Sequence, residues 1–336
     1  MKILLRKFLI SNLVFNLFIL FLLISFNKNL YAADKSLSFD GVDDFVSIPN
    51  DSALNPTGDY TVAAWFKQEH TTGTDFQSII TSRDVNLPAE DDVRGYMMYL
   101  QNSNNNLVYW KGTTGVGSFV RNITNAQSTW KANGGGNPGT PGWNHYVIRF
   151  NGSNQMSLFL DGVLIKSITS ELSLNNQNET RTTRIGAGRE DGPIDYHFTG
   201  KIDEVAIWDE ALTDAEISAL YNSGETLYAK ENYGDYTSKD NLTAYYTMDS
   251  DNGSGTTLSD DQGSNDGSFQ GAPAWSDDVP GTLPTLSSSN PSDGQTDVPI
   301  DTNIVLTFSE IVRVGTGNIV LHKASDDSVV QTFDVT

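Results

Sequence analysis

From Ser36 to Trp208 the chain never sustains a helical period: apolar residues recur at every second position, in short runs separated by clusters of Gly, Asn and Asp. Ser36–Phe39 and Phe45–Ile48 flank the turn Asp40-Gly41-Val42-Asp43-Asp44, and Tyr60–Lys67 alternates around Trp65. Tyr96–Leu100 and Leu107–Trp110 stand on either side of the turn-rich Asn102–Asn106, and His145–Phe150 is followed by Met156–Leu160 and Val163–Ile168. Asp161-Gly162, between the last two runs, is a strong hairpin signal. Many short strands joined by tight turns cannot build a parallel α/β sheet, whose crossovers need helices. They predict an all-β chain of two packed antiparallel sheets.

One stretch breaks the pattern once. In residues 198–224, Ile202, Val205 and Ile207 alternate with Asp203, Glu204 and Asp209 as a strand would, and a helical signal follows. Thr213 is a ready N-cap with Glu216 three residues on, Ile217, Leu220 and Tyr221 fall at helical spacing, and Gly224 ends the run. A strand and then one short C-terminal helix are expected.

Gly200-Lys201-Ile202-Asp203-Glu204-Val205-Ala206-Ile207-Trp208-Asp209, with Ala211-Leu212-Thr213 and Glu216-Ile217 after it, resembles the closing strand and helix of laminin-G-like, concanavalin-type jelly rolls, a group that includes the pentraxins. The order of motifs resembles that family as well: Phe39-Asp40-Gly41-Val42-Asp43-Asp44-Phe45-Val46, Tyr60-Thr61-Val62-Ala63-Ala64-Trp65, Gly142-Trp143-Asn144-His145-Tyr146-Val147, Leu158-Phe159-Leu160-Asp161-Gly162, and Ile185-Gly186. The resemblance covers about residues 36–226. It implies a concanavalin-like jelly roll with a structural calcium near the closing strand. It does not select a function, because this sandwich serves lectins, adhesion domains and enzymes.

Around that domain the text divides. Residues 1–32 open with Lys2, Arg6 and Lys7, run apolar from Phe8 to Phe26 and reach Leu30-Tyr31-Ala32-Ala33, which is the pattern of a signal peptide cut after Ala32 or Ala33. The apolar run is near the lower length of a membrane span, so an uncleaved anchor is the other reading. Residues 227–283 carry Leu242–Asp249, similar to a strand that opens laminin-G-like domains, and read as an extra strand packed on the first domain or as a vestigial repeat. Residues 284–336, with strand-like Ile304–Phe308, Val312–Val314, Asn318–Leu321 and Val329–Phe333, resemble an incomplete bacterial Ig-like domain of the surface-layer and adhesin type.

Twenty-one basic and 42 acidic side chains give a formal charge of −21, and residues 1–32 contribute only bases to it. Such a surface repels nucleic acid and anionic lipid. With no cysteine in the chain, disulfides, thiolate zinc sites and thiol nucleophiles are excluded. The four histidines, His70, His145, His197 and His322, show no metal-binding spacing. Gly134-Gly135-Gly136 lacks the Lys-Ser/Thr of a phosphate loop. In the β-glucanases that share the jelly roll, a nucleophile Glu precedes an Asp by two residues. Here Lys201 stands in that place, so no enzyme activity is expected.

Calcium takes six to eight hard oxygens. The expected set is Asp203 with Asp40, Asp43 and the Gly41 carbonyl, provided that the first and last strands lie side by side. A second acidic loop at Gly188-Arg189-Glu190-Asp191-Gly192 resembles a pentraxin calcium loop in position, and Arg189 weakens that likeness. Tyr109, Trp110 and Trp130 are the expected ligand-contacting rings, although strand alternation must turn about half of the mid-domain aromatics into the core. Trp65, Trp143 and Trp208 are assigned to the core. These readings converge on a secreted or cell-surface, calcium-stabilised, non-catalytic module for carbohydrate or glycoprotein. An accessory module of a polysaccharide-degrading enzyme and a structural spacer are the alternatives.

Overall fold

A computed structural model of the chain describes residues 2–5, 24–26, 34–69, 75–85, 93–102, 106–113, 119–123, 142–171, 178, 180–188, 193–249, 254–281, 286–292, 295, 299, 302–308, 318–322 and 328–334. It divides into two units, Asp34–Thr282 and a second one made of Met1–Ala33 with Leu283–Thr336.

In the larger unit the strands are β1 (Ser36–Asp40), β2 (Phe45–Ile48), β3 (Tyr60–Gln68), β4 (Phe76–Val85), β5 (Val93–Gln101), β6 (Asn106–Gly112), β7 (Phe119–Ile123), β8 (Asn144–Asn151), β9 (Gln155–Leu160), β10 (Val163–Thr169), β11 (Thr183–Ile185), β12 (Thr199–Trp208), β13 (Leu242–Tyr246), β14 (Thr257–Leu258), β15 (Gly267–Gln270) and β16 (Ala274–Ser276). They form two antiparallel sheets, the jelly-roll sandwich expected from the sequence. The first sheet has the order β10-β9-β8-β3-β12-β1-β16, with β13 also paired to β12, and the second has the order β14-β15-β2-β11-β4-β5-β6-β7.

β12 is the spine of the first sheet. Along one side it pairs with β3, while along the other its first half pairs with β1 and its second half with β13. The first and last strands of the motif series therefore do lie side by side, with Ile202 opposite Leu37 and Thr199 opposite Asp40. A bulge falls between Asp203 and Ala206, where Glu204 takes the left-handed φ of 50°. Bulges of this kind re-aim side chains. Gly200 is required for the close approach to β3, because a Cβ there would lie 2.1 Å from the Lys67 carbonyl oxygen.

Period-two alternation sends one row of side chains from each sheet into a shared core. Ala64, Phe66, Tyr146, Ile148, Leu158 and Ile202 from the first sheet meet Val46, Ile80, Tyr96, Met98, Tyr109 and Ile185 from the second. Each such large side chain contributes about 1.5–3 kcal/mol on leaving water. Gly186 adjoins this core, where a Cβ would lie 2.6 Å from the Phe39 ring.

The one α-helix among the described residues, α1 (Asp214–Tyr221), carries the expected capping box, and Ile217, Leu220 and Tyr221 are buried. Tyr221 packs with Trp65 and Trp143 in a separate buried cluster. The chain leaves the helix through Asn222 at φ 47°, the left-handed cap that asparagine tolerates. Glu216 does more than cap. Its carboxylate accepts from Thr213 N and Oγ1 and also from Thr237 N, Thr237 Oγ1 and Ser238 Oγ, tying the helix to the segment that leads into β13. Residues 227–282 thus supply β13 and β14–β16 to the same unit.

Burial alone would raise the Glu216 pKa, but the hydrogen bonds from Ser238, Thr213 and Thr237 outweigh it and hold the carboxyl below its usual range. A depressed carboxyl stabilises the fold above its unfolded-state pKa, and this contribution fades as pH falls through the folded-state value. Glu216→Ala is expected to cost about 1–3 kcal/mol at pH 7, since it strands the buried Ser238 hydroxyl and removes one half of the capping box. Urea unfolding at pH 7 and pH 3 checks this. The mutant and wild-type midpoints should converge at the lower pH, and equal midpoints at pH 7 would refute it.

In the smaller unit, Leu286–Asn290 pairs with Ile304–Phe308, and Asn318–His322 pairs with Val329–Asp334. Lys2–Leu5 and Ile24–Phe26 each add a strand to one of these pairs. Among the described residues no helix is long and apolar enough to cross a membrane. Residues 6–23 and the strand expected at 312–314 lie outside the described residues.

Candidate functional site

The acidic residues sort into two places. At the bulge in β12, Asp203 is fully buried, its Oδ1 accepting from Glu204 N at 2.8 Å and its Oδ2 having no hydrogen-bond partner among the described residues. Burial, followed by the negative charges of Asp34, Glu204 and Asp249, pushes its carboxyl well above the usual range. These neighbours arrive from different segments, Asp34 just before β1 and Asp249 just after β13. Asp249 Oδ1 also accepts from Lys35 N at 2.9 Å, which holds the two segments together. Glu204 accepts from the buried Tyr245 hydroxyl.

A buried carboxylate oxygen with no donor, facing further carboxylates, is costly unless a proton or a cation supplies the missing positive charge. Such a donor set is hard, anionic and oxygen-only, which suits calcium. Asp34 and Asp249 bring such oxygens into the electrostatic reach of Asp203, although the described carboxylates that gather within 4.8 Å of one another are those of the β1–β2 turn.

The β1–β2 turn is different. Asp40, Asp43 and Asp44 bring carboxylate oxygens within 4.8 Å of one another. Yet Asp40 Oδ1 accepts from Val42 N at 2.8 Å and Asp43 N at 3.3 Å, while Asp44 accepts from Asp40 N at 3.0 Å and Ala272 N at 2.6 Å. These are the bonds of a well-made turn, with Gly41 at φ 79°. Since Asp40 lies opposite Thr199, the turn sits four residues along β12 from Asp203. The structure does not bring Asp40, Gly41 and Asp43 together with Asp203. Glu190 and Asp191 of the second acidic loop lie outside the described residues.

The expected ring residues also part company. Tyr109 points into the inter-sheet core, where its hydroxyl lies 2.6 Å from that of Tyr60. Trp110, one position on, lies on the outer face of the second sheet, and Trp130 is outside the described residues. Register places Ser47, Arg184, Thr81, Met97, Trp110 and Arg121 in one row across that face. Trp110 is only 4% exposed. The Arg83 guanidinium sits 4.7 Å from the Trp110 ring centroid, and Phe119 packs 5.5 Å away. Phe119 is 44% exposed and carries the exposed Arg121 at 5.2 Å, and Arg121 also bonds Tyr99. Phe119 and Arg121, which the sequence reading passed over, are thus the accessible edge of the cluster that Trp110 belongs to.

The motif compared with the glucanases holds structural partners. Lys201 Nζ pairs with Glu69 and Asp278, and Lys67 joins Asp278 at 2.6 Å. His145 packs against both Trp65 (5.1 Å) and Tyr221 (6.3 Å), which also stack on each other, and burial pushes its imidazole down to about 3, so it is neutral at physiological pH. His197 Nδ1 lies 3.5 Å from the Asp44 carbonyl.

A family model described as the concanavalin A-like lectin/glucanases superfamily matches residues 40–218, and one described as a bacterial Ig-like domain matches residues 281–336. Among solved structures, a Bacteroides ovatus protein described as a candidate carbohydrate-binding protein superposes with a TM-score of 0.50 at 14% identity, over 75% of this chain and 62% of that one. The chain thus spans less than two thirds of that protein. A pentraxin of Limulus polyphemus gives 0.41 at 16% identity over 70% and 96% of the two chains. The carbohydrate-binding module CBM40 of a Ruminococcus gnavus sialidase gives 0.42 at 13% over 56% and 96%. At these identities the likeness is one of fold. No curated protein matches the chain in sequence.

Proposed function

This chain belongs to the concanavalin A-like lectin/glucanases superfamily, and from that membership we propose that it is a secreted or cell-surface module that binds carbohydrate or glycoprotein without turning it over, and that calcium stabilises it. The observation that carries the binding reading is the outer face of the second sheet, where Trp110, Phe119 and Tyr99 form a ring cluster with Arg83 and Arg121 laid on or against it. Trp110, Tyr99 and Arg83 are buried and hold the cluster in place, while Phe119 and Arg121 at its exposed edge set a stacking ring beside a guanidinium donor, which is what a sugar ring with its hydroxyls needs. The Bacteroides ovatus protein of like fold is described as carbohydrate-binding, which agrees with this reading.

Binding rather than turnover is supported by what the motif carboxylates do. Asp203 is buried, Glu204 bonds Tyr245, and the position of a glucanase nucleophile is held by Lys201, whose ammonium is paired with Glu69. The calcium reading rests on the partnerless Oδ2 of Asp203 among Asp34 and Asp249. Placement outside the cell rests on the leader pattern and on the match to a bacterial Ig-like domain.

A partly covered face of this kind gives single-site affinities of about millimolar to micromolar, so adhesion would come from multivalent display. The test is a glycan and matrix-protein array probed with a multimerised sample of the mature chain, run with calcium and with chelator, beside an assay of reducing-sugar release. Binding that weakens about tenfold in Arg121→Ala is expected. A blank array from folded protein would refute the binding reading, and sugar release by the pure protein would refute the non-catalytic one.

A further inference from the structure

Away from the outer-face cluster, the larger unit has an open groove of about 660 Å³ along the loop between β2 and β3, lined by Asn50, Asp51, Asn55, Asp59, Asn178 and Asp209 among others. We propose that this groove is a binding site for a neutral, hydroxyl-rich saccharide. The inference rests on the carbohydrate-binding reading and adds to it a second site, apart from the outer face, and a ligand class.

The floor of the groove is fixed before any ligand arrives. Leu54 is buried in the core, and its carbonyl accepts from the Tyr96 hydroxyl at 3.0 Å. The neighbouring Ala53 carbonyl accepts from Thr243 Oγ1 at 2.6 Å. Asn55 Nδ2 donates to Asn50 Oδ1 at 2.8 Å and to the Asp51 carbonyl at 2.9 Å, while its Oδ1 accepts from Ser82. Asn178 reaches the same Ser82 hydroxyl at 3.0 Å and the Arg181 carbonyl at 2.8 Å. Asn55 and Asn178 are both buried, so these bonds form a satisfied internal network rather than a solvated surface. A loop held this way loses little entropy when it binds, which is the main cost that preorganisation removes.

The rim is acidic. Asp51, Asp59 and Asp209 are exposed. Asp51 Oδ1 accepts from Ala53 N at 2.8 Å, and Asp59 Oδ1 from Gly152 N, which fixes each carboxylate while its second oxygen takes part in neither bond. The Asp209 carboxylate accepts no hydrogen bond from the described residues. No lysine or arginine is among the groove's lining residues. Fixed carboxylate acceptors along the rim suit sugar hydroxyls, since charge-assisted bonds to hydroxyls are strong and directional. The same rim repels carboxylated or sulfated sugars. The volume is within the range of small-molecule sites.

The experiment titrates the ¹⁵N-labelled mature chain with neutral di- and trisaccharides, with their sialylated or uronic-acid counterparts, and with calcium chloride alone. Neutral sugars should shift the amides of Gly58, Asp59 and Asp209, acidic ones should not, and Asp209→Asn and Asp51→Asn should each weaken binding about five- to tenfold. Gln270→Ala, an exposed position on β15 that is not among the groove's lining residues, serves as the comparison. Neutral-sugar binding that survives both aspartate substitutions overturns the groove while leaving the general carbohydrate reading intact. Shifts at these amides with calcium chloride alone overturn it in favour of a cation site. If no saccharide binds anywhere on the folded chain, both readings fall together.

Discussion

Millimolar calcium is expected to raise the thermal midpoint of the larger unit by about 5–10 °C, and Asp203→Asn is expected to abolish that gain while melting above the wild type in chelator. The reversal of order between the two conditions is the informative part. An ion present at about 100 times its Kd stabilises the folded state by roughly 2.7 kcal/mol, and for a unit of this size each kcal/mol moves the midpoint by about 2–4 °C. Without an ion, the buried Asp203 carboxyl is disfavoured in its charged form by burial and then by Asp34, Glu204 and Asp249. Its folded-state pKa is therefore raised. A raised acid contributes stability that is fully present below its unfolded pKa and is lost as pH rises through the folded one. Wild type in chelator should thus lose stability on going from acid toward neutral pH, and Asp203→Asn should not show that loss. With calcium bound the charged form becomes the favoured one and the slope should disappear. Differential scanning calorimetry with calcium and with chelator, at pH 5 and pH 7.5, gives all the comparisons. Equal wild-type midpoints with and without calcium would sink the ion. A calcium gain retained in Asp203→Asn but lost in Asp40→Asn would move it to the β1–β2 turn.

The placement of these residues shows where a sequence is readable and where it is not. Adjacency of the closing strand to the first strand is legible, because both carry motifs that resemble those of one family, and Ile202 does lie opposite Leu37. Register within that pairing is not legible, since a shift by two residues leaves the same apolar pattern. The observed register carries Asp203 away from Asp40 and toward Asp34, and the partner from the far end of β13, Asp249, is joined only by the fold. The helix was written in local chemistry, Thr213 to Glu216, and needed nothing else. By contrast β4 hides its period: a bulge lies between Ser78 and Ile80, so Ile79 and Ile80 both enter the core and strict alternation fails. For the rings, alternation could say that Tyr109 and Trp110 face opposite ways but not which of them faces out. The Tyr60–Tyr109 hydroxyl contact resolves it. A groove floor assembled from Asn55, Ser82 and Asn178 depends on three distant segments and leaves no local signature.

The same alternation that buries Tyr109 also buries Lys111, two residues along β6, and this leads to the second large effect. Lys111 is 3% exposed, with its ammonium over the rings of Tyr60 at 4.8 Å and Phe150 at 4.7 Å. Burial pushes its pKa from 10.5 down to about 7. A shift of that size corresponds to a penalty on the order of 4 kcal/mol for folding the charged form at neutral pH. The ring faces offset about 0.5–2 kcal/mol of it, because their quadrupoles attract the cation. Lys111→Met keeps a flexible stem of similar length and removes the charge, so it is expected to raise stability at pH 7 by about 2–4 kcal/mol. The pH profile separates this cause from better packing. Between about pH 7 and 10.5 the unfolded chain holds more protons at this lysine than the folded one does, so wild-type stability should climb with pH across that window. The variant should lack that climb, and the gap between the two should narrow by pH 9.5. Guanidinium unfolding of both proteins at pH 7.0 and 9.5 measures it. A gap that stays constant with pH would assign the gain to packing alone, while equal midpoints at pH 7 would mean that the two rings already compensate the buried charge in full.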